Sequence, residues 1–590
     1  MAALPTPCEF IRVCPLEELK RKRIVQAAGP HGPLVVVHDN GRVFALDNRC
    51  PHLGFPLHLG SVENGILTCH WHHARFDLAT GGTFDPWADD VPTAPVEVRD
   101  GVVWIGARAG YADGAAHWHN RLREGLEQNI PLILAKAVLG LGADGVADVE
   151  VVRAAALFGA KSRDDWGGGL TVLAALANLL PALQEEERYL ALYQGLRWVA
   201  DDCAGAPARR SRHPLPADSA RDIATLARWL REWTRVRHRD GAERTLLTAI
   251  SAGTASGEVA RLLLEAVSDR YFADGGHALD FINKGFELLD QIGWEHAADV
   301  LPSLVRPLVE ARGAEESDSW RNPVDLIPLC EAAFEELPAL LAAGEARRGS
   351  WSAHSRLADA LLGEDPNAIV ETLKDAIRAG ARGVDLGRSL AYAAALRVAR
   401  FGISNEHSDW DTAHHAFTYC NGLHQLLKRI GADTPAALRG VFHGAMRLWL
   451  IRFLNVPPAR LPEEETLDDL PRDADGINDA FLAALDRQGS VRDAARLVAR
   501  ALALGHPGDA LVATLGRAVL REDAGFHTLQ ILEAAVRQWR EWGDTAEGRR
   551  ILVAVARWLA AHSPTPRAQL QTADVARRLA RGQSLHEDAD

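Results

Sequence analysis

The sequence predicts a small all-β domain followed by a large all-α domain built from two tandem homologous halves. Short apolar runs separated by turn residues fill the first part of the chain, whereas later segments are rich in Ala, Leu and Arg with helical periodicity. A chain of 590 residues is also too long for one core. We assign residues 8–106 to the β domain, 107–116 to a linker, and 117–345 and 351–590 to the helical halves.

The β domain is predicted from paired apolar runs around tight turns. Leu34–His38 and Arg42–Asp47 flank Asn40-Gly41, and Asp100-Gly101 separates a second pair of runs. Asn-Gly and Asp-Gly are strong signals for two-residue hairpin loops. This part of the chain is therefore expected to present functional residues on loops between antiparallel strands.

Two such loops are expected to carry a metal-binding motif. Cys50 and His52 form C-x-H, and after sixteen residues Cys69 and His72 form C-x-x-H. Two thiolates and two imidazoles can hold a 2Fe–2S cluster, one iron on sulfur and the other on nitrogen. Zinc is the alternative occupant of such a set. The surrounding glycines, tryptophans and hairpins favour the cluster.

Residues 8–106 resemble the Rieske 2Fe–2S domain family. The resemblance implies that Cys50 and Cys69 bind the buried iron and that His52 and His72 bind the outer iron. Phe55 and Trp71 occupy the positions of two extra cysteines that staple the loops in high-potential members. The ferredoxin-like, lower-potential subclass of oxygenase systems and soluble carriers is therefore implied.

Two further positions are interpreted from the same resemblance. His73 stands where the family usually has glycine, so we expect it to influence access to the cluster or its protonation rather than to bind iron. Pro86, between Asp85 and Trp87, is expected to place a third loop over the cluster.

The composition excludes several functional classes. Net charge is −14, which argues against nucleic acid or an anionic membrane as a partner. Met1–Pro15 lacks the features of a signal peptide, and no apolar run reaches the length of a membrane span. Five cysteines outside the motif are scattered, so we expect a reducing, cytoplasmic location. They are Cys8, Cys14, Cys203, Cys330 and Cys420.

The two helical halves are predicted from short motifs that recur in the same order. The separation between copies grows slowly along the chain, as loop insertions would cause. The pairs are His119–Leu122 with His354–Leu357, Gly142–Val146 with Gly380–Val384, Ala154–Leu157 with Ala393–Leu396, Asp165–Trp166 with Asp409–Trp410, and Gly257–Ala260 with Gly508–Leu511.

A finer repeat lies inside these halves. The residues around His277 superimpose without gaps on those around His415, and Asp523–His527 is a candidate further copy. The repeats also explain Gly140–Gly145, which fits G-x-G-x-x-G but follows a helix rather than a strand. We therefore expect a helix–helix turn there and no dinucleotide fold.

Histidines of the helical region are candidates for a second site. Asp411, His414 and His415 share one face of a predicted helix over residues 406–428, together with His407. Such a face could bind a second, non-haem iron, with His277, His354 and His443 converging from neighbouring helices. The alternatives are that Asp409 or Asp411 caps the helix and that the histidines are buried structural or substrate-contacting groups.

The helical region does not match the oxygenase α-subunits that carry Rieske domains. Asp411-x-x-His414 imitates the first part of their iron motif, but position 419 is tyrosine where a histidine is needed. A faint likeness to questin-oxidase-like helical proteins rests on Phe442-His443-Gly444, His415 and His424.

Two functions remain open from the sequence. In the first, the chain is an oxidoreductase, and an oxygenase in particular, whose cluster feeds electrons to a substrate or metal site in the helical domain. Its partners would be an electron-donor reductase or ferredoxin and an unknown small-molecule substrate. In the second, it is a non-catalytic electron carrier or redox sensor whose helices form a scaffold for a partner. Enrichment of histidine in one stretch favours the enzyme.

The spectrum of the purified protein tests the cluster. We expect visible absorption and, after reduction, an electron paramagnetic resonance (EPR) signal, because a 2Fe–2S centre takes up one electron. A colourless protein that contains zinc would contradict the prediction.

Overall fold

The computed structural model describes residues 10–29, 32–107, 111, 113–216, 222–464, 467–583 and 585. Within this described part, the β domain has ten strands in three antiparallel sheets, ordered β1-β10-β9, β2-β3-β4-β8 and β5-β6-β7. The strands are β1 (Ile11–Pro15), β2 (Ile24–Gly29), β3 (Gly32–Asp39), β4 (Arg42–Asp47), β5 (Ser61–Glu63), β6 (Ile66–Thr68), β7 (Arg75–Asp77), β8 (Thr93–Ala94), β9 (Val96–Arg99) and β10 (Val102–Ile105).

The hairpins form at the predicted turns. Asn40-Gly41 joins β3 to β4, and Asp100-Gly101 joins β9 to β10, with both residues of each pair at positive φ. Such turns match the right-handed twist of the strands they connect. Asn64-Gly65 makes a third turn of this kind between β5 and β6, which the sequence analysis missed.

Strand β3 divides the core of the β domain. Val35 and Val37 point into a cluster of buried residues that contains Cys50 and Cys69. Leu34 and Val36, on the opposite face of the strand, belong to a second buried cluster. Because successive side chains alternate, one strand supports both cores and anchors the ligand loops.

The rest of the chain is helical, so the predicted fold class is confirmed. The described residues contain α1 (Leu16–Lys22), α2 (Gly114–Glu127), α3 (Pro131–Ala143), α4 (Asp148–Ser162), α5 (Gly168–Leu179), α6 (Glu185–Cys203), α7 (Ile223–Arg235), α8 (Arg239–Ser251), α9 (Ser256–Val267), α10 (His277–Ile292), α11 (Ala297–Val300), α12 (Val305–Glu310), α13 (Leu326–Gly344), α14 (His354–Leu361), α15 (Pro366–Arg378), α16 (Gly383–Ala399), α17 (His407–Ile430), α18 (Pro435–Leu450), α19 (Ala474–Leu485), α20 (Val491–Ala503), α21 (Gly508–Leu520), α22 (Phe526–Trp542), α23 (Ala546–Ala561) and α24 (Ala568–Ala580). The internal duplication stays a prediction.

The chain divides into two units. One combines Met1–Val151 with Ala568–Asp590, and the other is Val152–Arg567. The predicted domain boundaries stay predictions, and part of the predicted linker, like Cys8, lies outside the described residues. Helix α2 begins within that linker, at Gly114.

The first unit adds three helices to the β domain. Helix α3 packs on both α2 and α24. The guanidinium of Arg49, which also pairs with Asp47, donates to the carbonyl of Gly582 at 2.6 Å. Gly140, from the G-x-G-x-x-G sequence, lies near the end of α3, where a Cβ would collide with the ring of Trp118. Helix α3 ends at Ala143 and α4 begins at Asp148, so the predicted helix–helix turn lies between them.

Four helices form the centre of the second unit. Helices α5, α10, α17 and α22 pack in a closed ring, each against two neighbours, so that α10 faces α22 across the middle. In bundles of this kind, sites are built from side chains that point inward from facing helices. No helix in the described part of the chain combines the length and apolar character that membrane crossing requires.

Substitution of Gly81 tests the loop that follows β7. Gly81 has φ of 76°, and an added Cβ would lie 1.8 Å from the carbonyl oxygen of Val91. We expect Gly81→Ala to lower the free energy of unfolding by about 2 kcal/mol more than Gly101→Ala. Gly101 has a similar φ of 73° but no atom within 4 Å of the added Cβ. Urea titration followed by circular dichroism measures both, and equal losses would contradict the steric argument.

Candidate functional site

The first ligand loop follows β4 and carries Cys50 and His52. The N–H of Cys50 donates to the carbonyl of Phe55 at 2.8 Å, and the N–H of Gly54 donates to the carbonyl of Cys50 at 2.7 Å. Gly54 has φ of 85°, which glycine adopts without strain. The loop is thus closed on itself around the C-x-H motif.

The second ligand loop joins β6 to β7 and carries Cys69 and His72. The N–H of Cys69 donates to the carbonyl of Ala74 at 2.8 Å. His73 has φ of 63°, a left-handed conformation that favours glycine. This backbone geometry gives a physical reason for the glycine that the family resemblance placed at this position.

The two loops bring their thiols into contact. Cys50 and Cys69 are 2% and 1% exposed. A hydrogen bond to Cys69, together with burial, raises the pKa of Cys50. The same bond, with the backbone N–H groups of Trp71 and His72, lowers the pKa of Cys69 to about 6. These donors favour negative charge on sulfur, as metal thiolates require.

The two imidazoles lie beside each other. The rings of His52 and His72 are 4.7 Å apart and meet edge to face. Burial lowers the pKa of His52 to about 4, so its ring is neutral at pH 7. Its Nδ1 is buried without a hydrogen-bond partner among the described residues, which leaves that lone pair available to a metal.

The four side chains fit a 2Fe–2S cluster. Two buried sulfurs and two neutral imidazoles are the donor set that such a cluster takes. When bound, the cluster accepts and donates one electron at a time. His72 is exposed, whereas the cysteines are not. The histidine edge, the side of the site that carries His72, is therefore the side open to solvent.

Aromatic residues surround the histidine edge. Trp87 lies 4.9 Å from the ring of His52, so the loop after Pro86 does approach the ligands. The rings of Phe55 and Trp71 are 6.0 Å apart, each from one ligand loop. They make an aromatic contact where high-potential relatives are expected to have a disulfide.

A lysine from the helical part of the first unit reaches the first ligand loop. Lys136 of α3 is 7% exposed, and its ammonium donates to the carbonyl of Pro51, between Cys50 and His52. Burial lowers the pKa of Lys136 to about 8, opposed by Asp89 and Cys50. Nothing in the sequence signals this contact, because α3 is remote from the motif in the chain.

Comparison with known proteins agrees with this geometry. Residues 9–95 match the Rieske [2Fe-2S] domain. The chain is 32% identical over 104 residues to human apoptosis-inducing factor 3, covering 18% of this chain and 17% of that protein. It is 32% identical over 110 residues to the ferredoxin component of the alkene monooxygenase system of Xanthobacter autotrophicus, covering 18% of this chain and 89% of that protein.

A third relative is the ferredoxin subunit of 3-phenylpropionate/cinnamic acid dioxygenase from Photorhabdus laumondii. It is 36% identical over 74 residues, which cover 12% of this chain and 70% of that subunit. All three matches are confined to less than a fifth of the present chain.

The fold and the ligand set define an iron–sulfur domain for one-electron transfer. Through its first hundred residues, the chain belongs to the Rieske [2Fe-2S] domain family. The remainder, about residues 107–590, is assigned to no family by these comparisons.

The structure brings together only part of the predicted histidine set in the second unit. His277 and His415 have ring centroids 4.5 Å apart, and His414 lies next to His415. His354 instead contacts Ser389, and His443 packs against Tyr271. The side chain of His407 lies outside the described residues. Helix α17 begins with Glu406 and Asp409 as its cap, so Asp411 is free for another role.

The sequence analysis missed His527 as a member of this group. His527 lies at the start of α22, and its Nε2 is 3.0 Å from Nε2 of His415. The only signal was the finer repeat, in which Asp523–His527 was a candidate copy of the segment around His277. The name "histidine cluster" is used below for His277, His415 and His527.

The histidine cluster has the geometry of a metal site. Its three residues offer nitrogens that all lie within 4.8 Å of one another. Metal–nitrogen bonds are about 2.0–2.1 Å long, so two imidazoles at a right angle on one ion place their nitrogens about 3 Å apart. That separation matches the one between His415 and His527.

The surroundings keep two of these imidazoles neutral and orient the third. Burial lowers the pKa of His415 to about 3 and also lowers that of His277. His527 donates through Nδ1 to the carboxylate of Asp411 at 2.8 Å, so its Nε2 carries the lone pair. A carboxylate behind a histidine is a common device for orienting a metal ligand.

A cavity opens beside the histidine cluster. Its volume is about 380 Å³, and its lining includes Asp411, Phe526, His527, Leu559 and His562. His414 is fully buried nearby, with its ring 4.6 Å from that of His527 and neither nitrogen hydrogen-bonded within the described part of the chain. The cavity has the size of a site for a small organic molecule.

Replacement of Lys136 tests its electrostatic effect on the 2Fe–2S cluster. We expect Lys136→Met to lower the reduction potential by tens of millivolts, because a nearby positive charge stabilises the reduced cluster. A tenfold change in relative stability corresponds to about 59 mV for one electron. EPR-monitored redox titration of the full chain measures the shift. Lys136→Arg, which keeps the charge, is the control, and equal potentials in all three proteins would contradict the effect.

Proposed function

We propose that this chain is an oxidoreductase in which the Rieske cluster supplies electrons to a redox metal held by the histidine cluster. The observation that carries the proposal is the convergence of His277, His415 and His527 from three different helices. Neutral imidazoles of this number suit iron, and a redox-active metal could receive the single electrons that a 2Fe–2S centre delivers.

The substrate is proposed to occupy the cavity beside His527. Its lining mixes apolar side chains such as Phe526 and Leu559 with polar ones such as His562. An organic molecule held there would lie next to the metal, and dioxygen is the oxidant that non-haem iron with open positions activates. We infer an oxygenase-type reaction on a small organic substrate.

An external protein is proposed to reduce the cluster. Exposed His72 and Trp71, which is 40% exposed, provide an edge at which a reductase or ferredoxin could approach. Relatives of the Rieske domain include ferredoxin components of a monooxygenase and a dioxygenase system, which supports a role of this kind. The free cysteines found in the described part of the chain suit a reducing cytoplasm.

Metal analysis of the full chain tests the proposal. We expect one metal ion in addition to the two irons of the 2Fe–2S cluster. His527→Ala should lose that ion but keep the EPR signal of the 2Fe–2S cluster. Asp411→Asn should weaken binding of the second metal about 10–100-fold, since it removes the carboxylate behind His527. His296→Ala, outside the histidine cluster, is the matched control.

The opposite result favours the other function. Iron at two per chain, unchanged in His527→Ala, would show that the histidine cluster holds no metal. The chain would then be an electron carrier whose helical region serves another purpose.

A further inference from the structure

A seam of polar side chains crosses the core of the four-helix bundle below the histidine cluster. It is formed by residues of α10 and of α22, and each residue of the first helix faces a residue of the second. The facing pairs are His277 with His527, Asp280 with Gln530, Lys284 with Glu533, and Glu287 with Arg537.

The lower three pairs are in direct contact, and all of their residues except Arg537 are almost completely buried. The amide of Gln530 donates to the carboxyl of Asp280, and the ammonium of Lys284 donates to Glu533 and, at 2.8 Å, to Glu287. All five are at most 2% exposed. Arg537 closes the seam and lies 3.3 Å from Glu287. The interior of the bundle is therefore polar, although its outer surfaces pack on apolar residues.

The charges in the lower part of the seam balance without Asp280. Lys284 and Arg537 supply two positive charges, and Glu287 and Glu533 supply two negative ones. A further buried negative charge would have no counterion and would be strongly disfavoured. Asp280 is consequently the member of the seam that holds a proton as a neutral acid.

The electrostatic surroundings of Asp280 agree. Burial, opposed by the ammonium of Lys284, raises the pKa of Asp280 to about 7. Its Oδ2 accepts from Gln530, whereas Oδ1 is buried without a hydrogen-bond partner among the residues the structure describes. An acid with this pKa can give up a proton at neutral pH and take it back.

Asp280 also lies directly beneath the histidine cluster. It follows His277 by three residues on α10, and Gln530 follows His527 by three residues on α22. Residues at this spacing share a helix face and are separated by about 4.5 Å along the axis. The acid is thus one helical turn from the residues proposed to hold the metal.

We propose that Asp280 is the proton donor for the reduction of dioxygen at the histidine cluster, an inference that rests on the proposed function. Two electrons and two protons convert dioxygen to hydrogen peroxide. The electrons come singly from the Rieske cluster and from the second metal. The O–H bond of Asp280 breaks as its proton passes to the reduced oxygen. A solvent proton entering through the cavity beside His527 returns to the carboxylate, and Asp280 then passes the second proton in the same way, so that both protons come from solvent through Asp280.

Single-turnover reoxidation tests the proposal with the full-length, metal-loaded chain. The protein is reduced chemically, freed of reductant and mixed with dioxygen, and the visible absorption of the cluster is followed. We expect Asp280→Asn, which keeps the size of the side chain but has no acid proton, to be reoxidised about 100-fold more slowly. Asp290→Asn, the same change at an exposed position of α10, should behave as wild type.

Infrared difference spectra provide a readout that a structural role would not change. A carboxyl band that responds when reduced protein meets dioxygen should be present in wild type and in Asp290→Asn and missing in Asp280→Asn. Reoxidation of Asp280→Asn at the wild-type rate, or retention of the band, would overturn the proposal.

Further variants separate the failure modes. If Asp280→Asn does not fold or loses the metal, Gln530→Leu, which removes the hydrogen-bond donor to Asp280, is measured instead. Reoxidation of metal-loaded Gln530→Leu at the wild-type rate would overturn the role of Asp280. Slower reoxidation would support it. If His415→Ala is reoxidised as fast as wild type, electrons bypass the histidine cluster and the proposed function fails. If His415→Ala is reoxidised slowly but Asp280→Asn is reoxidised at the wild-type rate, the role of Asp280 as proton donor fails and the proposed function stands.

Discussion

Metal binding by the β domain depends on two backbone hydrogen bonds. The N–H of Cys50 donates to the carbonyl of Phe55, and the N–H of Cys69 donates to the carbonyl of Ala74. Each closes a short loop, and together they hold two thiols in the interior, whereas the imidazole of His72 is exposed. The division is physical: sulfur is shielded from water, and a histidine edge is left where a partner can approach. The strands serve chiefly to keep these two loops at a fixed separation.

The ligand motif could be predicted because its chemistry is local. Cys50 and His52 are two residues apart, and hairpin signals on either side specify a loop. Long-range contacts leave no such pattern. Nothing in the sequence around Lys136 shows that its ammonium will reach Pro51, because that contact depends on how α3 packs in the first unit.

The helical histidines show where sequence reasoning stops. Position on one helix face groups Asp411, His414 and His415, since helical spacing is set by the backbone, and all three contact His527 in the structure. The partners on other helices depend on bundle packing. The predicted second site includes His354 and His443 because of their residue type, but both lie away from the histidine cluster. It does not include His527, which completes the histidine cluster. The facing positions of the seam, 277 with 527, 280 with 530, 284 with 533 and 287 with 537, are 249 or 250 residues apart, because the two helices run in the same direction and contact each other in register.

The bond from Arg49 to Gly582 joins residues from opposite ends of the chain within a single unit. Helix α24, which packs on α3, emerges from the ribosome only after the entire second unit has been made. Domains usually mature in the order of their synthesis, but here the packing of the first unit is complete only once α24, which follows the second unit in the chain, has been made. Completion of the first unit is in this way tied to prior translation of the second.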